Sequence, residues 1–368
     1  MKRQKDSNGR LEPSFSNNRA LRYKSATLQR LSNQLIRERE SVIPTEADIL
    51  CVTILLFGET IIGDRSAIDA HLLGLQRMIR IQGGQDNLSL VVATHVHLTT
   101  LLAAQLTQTP PIMPLQSSLQ EWYERESMTP PSPSPKNQYL LDRGLGSAFL
   151  CEPLSLNISL PLERCLNYMC GVISRVEYGR AYIKDFEGDW IDDALTLLHV
   201  LVAMPYEYTL SQHDECVRLA LLLYCFTAIW SFPRYMKWII SLVRNLKSAI
   251  SSLGESQVGC DYPELRFWML FVARQACTLE LPADETAWWN EALNELATHL
   301  GIVTWEDARD TFQGFFYVDR VHATRWEAIW IDVLHGYCSA EPVPEPEHPC
   351  GFSHATLAAA YSPFTKLL

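Results

Sequence analysis

No two of the ten cysteines stand in Cys-x-x-Cys spacing, and none precedes Cys51. Closely paired cysteines are what zinc sites and small disulfide scaffolds are built on, so neither is expected to hold this chain together. A long apolar run is missing too. The longest by eye, Leu219 to Phe232, falls short of the roughly 20 residues that a membrane-crossing helix takes. The basic start, Met1-Lys-Arg-Gln-Lys, runs into Asp6-Ser-Asn-Gly and not into an apolar segment, so no secretory signal is expected. Alternation of period two, the mark of half-buried strands, is nearly absent. Together these gaps read as a soluble, intracellular, helical protein whose thiols stay reduced, with no membrane partner.

What is present is ample core material: 368 residues, 47% of them hydrophobic and 20% charged, enough to bury a sizeable interior unaided. The formal net charge of -11 repels phosphate backbones over most of the surface, which argues against nucleic-acid binding by bulk electrostatics. The charge is unevenly placed. Met1 to Glu40 carries ten basic and four acidic residues, leaving 21 basic against 38 acidic in the remainder. A basic head can serve as a nuclear-import patch or a nucleic-acid arm; its plainest reading is a solvated tail followed by the wet face of a helix.

Apolar positions recur at three and four residues, with helix start and stop signals around them. Thr45-Glu-Ala-Asp48 has the form of a capping box, opening a helix with Ile49, Val52 and Leu56 on one face before Gly63. Ser66-Ala-Ile-Asp69 repeats the pattern ahead of Ile68, Leu72, Leu75 and Ile79, and Gly83-Gly84 closes that helix. Trp289, Leu293, Leu296 and Leu300 form a stripe ended by Gly301, while Thr304-Trp-Glu-Asp307 opens a helix with Ala308, Phe312 and Phe316 inward. Near the C-terminus Trp326, Ile329, Trp330 and Val333 make a further core stripe. The expected fold is all-α, a large helical array of roughly a dozen helices.

The texture changes at residues 109–138, where prolines deny the backbone its helix bonds, so an exposed Pro/Ser-rich loop is expected with one short helix around Leu119 to Arg125. Its Thr129-Pro, Ser132-Pro and Ser134-Pro steps could accept phosphate from a proline-directed kinase. A second break, Glu341 to Pro349, sets off a short C-terminal segment. The domain reading is a basic tail over 1–18, one helical body over 19–338 and a linker with terminal segment over 339–368.

Three constellations suggest chemistry. Gly58-Glu-Thr-Ile-Ile-Gly63 has the glycine spacing of a phosphate loop, yet Asp64 stands where Lys and Ser or Thr would be needed. Asp189, Asp192 and Asp193 cluster as carboxylates that gather magnesium for a diphosphate do in helical terpenoid synthases, although acidic residues also favour any helix N-terminus. His95 and His97 would align only on a strand, and Cys165 and Cys170, five apart, are poorly spaced as ligands on one helical face. Lone histidines such as His71 and His199 border apolar stripes and read as core-edge residues. No catalytic residue, metal ligand or cofactor follows from the residues alone.

Two stretches carry a resemblance. Ala47 to Asp64, with His71-Leu-Leu-Gly74-Leu-Gln-Arg77 and Gly83-Gly84, resembles the helix pair of the fungal-specific transcription factor domain. There an apolar helix ends near Gly-Asp, and the next reads His-Leu-x-Gly-Ala and ends in Arg-Gly-Gly; here Leu75 replaces the small residue and Gln82 the arginine. Leu281-Pro282, Trp288-Trp289, Leu300 to Asp307, Phe315, Asp319 and Trp326 to Trp330 resemble the closing part of the same domain. The signature residues, Gly63, Asp64, His71, Gly74, Gly83, Gly84, Trp289, Gly301 and Trp305, have fold roles, with Gly74 expected to admit a close helix neighbour. The family is all-α and usually follows a zinc binuclear cluster of six cysteines, which this chain lacks before Cys51. The resemblance implies a regulatory or effector-sensing domain, nuclear or else cytoplasmic, that reaches DNA only through a homo- or heterodimeric partner. The alternative is an isoprenoid-type helical enzyme using Asp189, Asp192 and Asp193.

Overall fold

The computed structural model describes residues 43–128, 144–151, 157–182, 190–230, 232, 234, 236–253, 262–277 and 281–335. Among these residues the secondary structure is thirteen α-helices with no strand, the all-α array expected from the helical periodicity. The tail over 1–18, the kinase-type steps at Thr129, Ser132 and Ser134, Asp189 and the segment 339–368 lie outside the described residues. Where one helical body was expected over 19–338, contacts gather in two compact units that divide between Met113 and Pro114.

The first unit is built from α1 (Glu46–Ile62), α2 (Arg65–Ile81) and α3 (Leu90–Thr107). Thr45 and Asp48 cap α1 reciprocally: the Asp48 amide donates to Thr45 Oγ1 at 3.3 Å, and the Thr45 amide donates to Asp48 Oδ2 at 2.9 Å. Gly63 ends the helix at φ 83, a left-handed turn that costs glycine nothing. Asp64 then caps α2 at once, its Oδ1 accepting from the Ala67 amide at 3.1 Å. The capping box expected at Ser66 and Asp69 therefore does not form, because Ser66 already lies inside the first turn. Gly83 and Gly84, at φ 91 and 105, stop α2 as expected. Gly74 departs from its expected role: a Cβ built there meets nothing within 4 Å, so no helix approaches it closely.

Ile49 and Leu56 of α1, Ile68, Leu72, Leu75 and Ile79 of α2, and Val92, Val96 and Ala103 of α3 form one core. Each such aliphatic side chain contributes about 1.5 to 3 kcal/mol on burial, which is what holds three short helices together. Val52 packs against this core only partly buried. By length and composition α3 could cross a membrane, a stretch the apolar count above passed over; 72% of it is buried inside the protein, with His97, Thr99, Thr100 and Gln105 among its buried residues.

The second unit is assembled around α10 (Pro263–Ala276), which is buried on every face from Phe267 to Ala276. Helices apolar all round belong inside a protein. Around it pack α8 (Gln212–Tyr224), α9 (Lys237–Ser252), α11 (Ala283–Leu300), α12 (Trp305–Gln313) and α13 (Asp319–His335). On α11 the stripe of Trp289, Leu293 and Leu296 is buried and Gly301 closes the helix at φ 69. Thr304 and Asp307 form the expected capping box of α12, with Ala308 and Phe312 fully buried. Phe316 is fully buried as well, but beyond the helix end at Gln313: it sits in a turn whose Phe315 and Gly314 carbonyls accept from the amides of Gly146 and Ala148.

The segment 109–138 is less of a loop than its prolines imply. Its described part contains α4 (Ser117–Ser127), longer at both ends than the short helix expected, and buries Met113 and Ser127.

The stripe of Trp326, Ile329, Trp330 and Val333 on α13 is buried, with Trp330 meeting Phe267 of α10 edge-on at 6.0 Å. Replacing Trp330 by Ala should cost about 3 to 5 kcal/mol in a denaturant titration, through lost contacts and the cavity left behind. A loss below about 1 kcal/mol would place that face outside the core.

Candidate functional site

The residues with the richest chemistry lie where α4 meets α6 (Leu160–Tyr182) and α7 (Ile191–Glu207). α7 begins with Asp192 and Asp193 in its first turn, where carboxylates offset the positive end of the helix. Asp193 is only 13% exposed, and donors from two other helices reach it. Its Oδ1 accepts from the Tyr168 hydroxyl at 2.9 Å and from Trp122 Nε1 at 3.2 Å, and its Oδ2 accepts from Arg175 Nε at 2.8 Å. On α6, Tyr168 and Arg175 are seven residues apart, two helical turns, so both face α7.

Around this carboxylate the aromatic faces complete the joint. Tyr123 meets the Tyr168 ring edge-on at 5.1 Å, and the Arg125 guanidinium lies 4.6 Å over the Trp122 ring. Arg175 reaches Glu126 at 4.0 Å on its other side, so α4 is tied to α6 at two levels. Burial, and then the negative charge of Asp193, push the Tyr168 phenol far above its usual range, so it stays a protonated donor. Burial followed by the charge of Asp193 also raises the Asp192 carboxyl.

What can this arrangement do? A magnesium site needs oxygen lone pairs free to face the ion. Both oxygens of Asp193 are engaged by protein donors, and among the described residues no group of three His, Cys, Asp or Glu is gathered as a metal would require. The geometry is that of a brace fixing three helices.

The other candidates are dispersed. Gly58 lies inside α1 and Gly63 at its end, with Asp64 capping α2, so the glycine spacing there makes a helix hairpin and no phosphate cradle. On α3 the two imidazoles diverge: His97 is buried, while His95 Nδ1 lies 2.7 Å from the Val91 carbonyl oxygen. Cys165 and Cys170 are both buried, and burial pushes the Cys170 thiol up to about 12, which leaves it inert as a nucleophile. Of the signature residues, Gly63, Asp64, Gly83 and Gly84 shape helix ends, and half-buried His71 and open Gly74 lie along α2. Trp289 is core, Gly301 ends α11, and half-buried Trp305 begins α12, its ring 6.3 Å from Phe312.

Sequence reasoning missed the partners of Asp193, and also a buried polar knot at the end of α10. Gln275 donates to Thr227 Oγ1 at 2.9 Å and accepts from Trp326 Nε1 at 2.8 Å, while Arg274 donates to Asn290 Oδ1 at 2.6 Å. The only advance signal for it is a pair of polar residues interrupting an otherwise apolar helix.

Two measurements check these assignments. Asp193→Asn should cost about 2 to 3 kcal/mol, since it strips the charge that pairs with Arg175, whereas Asp192→Asn should stay within about 0.5 kcal/mol. Comparable losses from both would contradict the brace. His199 is buried on α7, and burial lowers its pKa to about 4. Below its usual value of about 6.5 the unfolded chain takes up a proton that the folded chain refuses, so stability should fall as pH drops from there towards 4. Urea melts at pH 7 and pH 5 should show the wild type losing about 1 to 2 kcal/mol more than His199→Gln; equal losses would refute the assignment.

No family model matches the chain, and no curated protein and no solved structure matches it significantly.

Proposed function

We propose that this chain is a transcription-regulator-like helical domain, working by protein contact or by sensing a small effector and reaching DNA only through a homo- or heterodimeric partner that carries its own DNA-binding module. The reading rests on the resemblance of two stretches to the fungal-specific transcription factor domain. The observation that supports it best is the Gly63-Asp64 junction: the dipeptide that ends the family's apolar helix stands here in the left-handed turn and the cap between α1 and α2. The surplus of basic residues before Glu40 fits a nuclear location, with the cytoplasm as the alternative.

The alternative, an isoprenoid-type enzyme, needs Asp192 and Asp193 free for magnesium. Full engagement of Asp193 by Tyr168, Trp122 and Arg175 weighs against it.

A mobility-shift titration with random duplexes at physiological salt tests the DNA side of the proposal. Specific readout takes several side chains held on base edges, each good bidentate pair worth about 1 to 3 kcal/mol of discrimination. The purified chain should give at most weak, salt-sensitive retardation without sequence enrichment. Tethered to a foreign DNA-binding domain, the same chain should change reporter output. Enrichment of one motif by the chain alone, or no reporter change on tethering, would overturn the proposal.

A further inference from the structure

The outward face of α1 is unusual for a surface helix. No charged residue stands between Asp48 and Glu59, and the sequence there, Ile49-Leu-Cys-Val-Thr-Ile-Leu-Leu-Phe-Gly58, is apolar round most of its circumference. The inward side is spent on Ile49, Thr53, Leu56 and Thr60, all buried. On the opposite side Ile54 is 40% and Ile62 66% exposed, and a Cβ at Gly58, between them, would meet nothing within 4 Å. Ile54, Gly58 and Ile62 recur every four residues and so line up along about 12 Å of one face. An apolar stripe of this kind on a helix marks a surface that another segment covers.

We infer that the occupant is this chain's own stretch 19–40, whose placement lies outside the described residues. Two features of the sequence favour it over other occupants. Its leucines recur at 28, 31 and 35, followed by Ile36, an apolar spacing complementary to that of α1. Its charge is opposite: six basic residues against two acidic ones, facing a unit whose residues 43–113 carry six acidic and three basic. Position adds an advantage, because only four residues separate Glu40 from Thr45, the cap of α1. So short a tether holds the stretch at high effective concentration beside that helix, which a separate molecule must match by affinity. Six basic residues engaged in this way would be partly withdrawn from any import receptor or phosphate backbone.

Trypsin reads this out in the intact chain, since Arg22, Lys24, Arg30 and Arg37 lie within the stretch. Cleavage there should be slow in the wild type and at least tenfold faster in Ile54→Asp/Ile62→Asp, with the melting transition retained. Leu73→Asp, on an exposed position of α2, should leave the rate unchanged. If the α1 variant fails to fold, Leu31→Asp/Leu35→Asp replaces it and should speed amide hydrogen exchange across Ile54 to Ile62. Equal cleavage of wild type and α1 variant, or unaltered exchange in the reciprocal variant, overturns the inference. Protection that disappears on dilution as a dimer dissociates also overturns it, and assigns the face to a second copy.

Discussion

Helix α10 sets the terms for the larger unit. From Phe267 to Ala276 it has no face that water could wet without exposing large apolar surface, so it forms only inside a jacket. Five helices supply that jacket, and their own stripes are the inverse of its surface: Phe312 stacks on Phe267 at 5.1 Å, Trp326 lies 5.1 Å from Phe271, and Tyr224 lies 6.3 Å from Trp268. Isolated helices of this length are marginal in water. Here each borrows its stability from the others, and the unit should unfold as a whole.

A buried helix must also dispose of its polar groups, and α10 does so at one end. Arg274 and Gln275 are both nearly buried, and each is met by a side chain from a neighbouring element: Asn290 from α11, Thr227 from the turn after α8, Trp326 from α13. Unmet, such groups would cost about 1 to 3 kcal/mol apiece. Met, they fix the rotation of α10 about its axis, which apolar packing alone specifies less sharply. The Asp193 brace does the same for α4, α6 and α7.

Much of the helical layout was legible before any coordinates, because caps and stripes are local. Thr45 with Asp48, Thr304 with Asp307, and the glycines at 63, 83, 84 and 301 report on residues within four positions of themselves. Errors arose where two local signals competed or where the answer lay across the fold. Asp64 pre-empted Ser66 because the turn at Gly63 delivers it first to the α2 amides. Gly74 reads the same whether or not a neighbour comes near. At the candidate site the aspartates were found by type, but nothing local to Asp193 foretells Tyr168, Arg175 and Trp122, which lie 25, 18 and 71 positions away. The function of a carboxylate depends on what fills its lone pairs, and that is a tertiary fact.

The Gly63-Asp64 junction has a further consequence, for the reading frame of the fold. The residue that ends α1 and the residue that caps α2 are neighbours in the chain, so there is no slack between the helices. One residue added between Leu56 and Ile68 would turn the second helix by about 100° against the first. Ile68, Leu72, Leu75 and Ile79 would then leave the core together. The small unit can therefore accept substitution along its helices far more readily than any change of length at this corner, and in length its evolution is confined to its other loops.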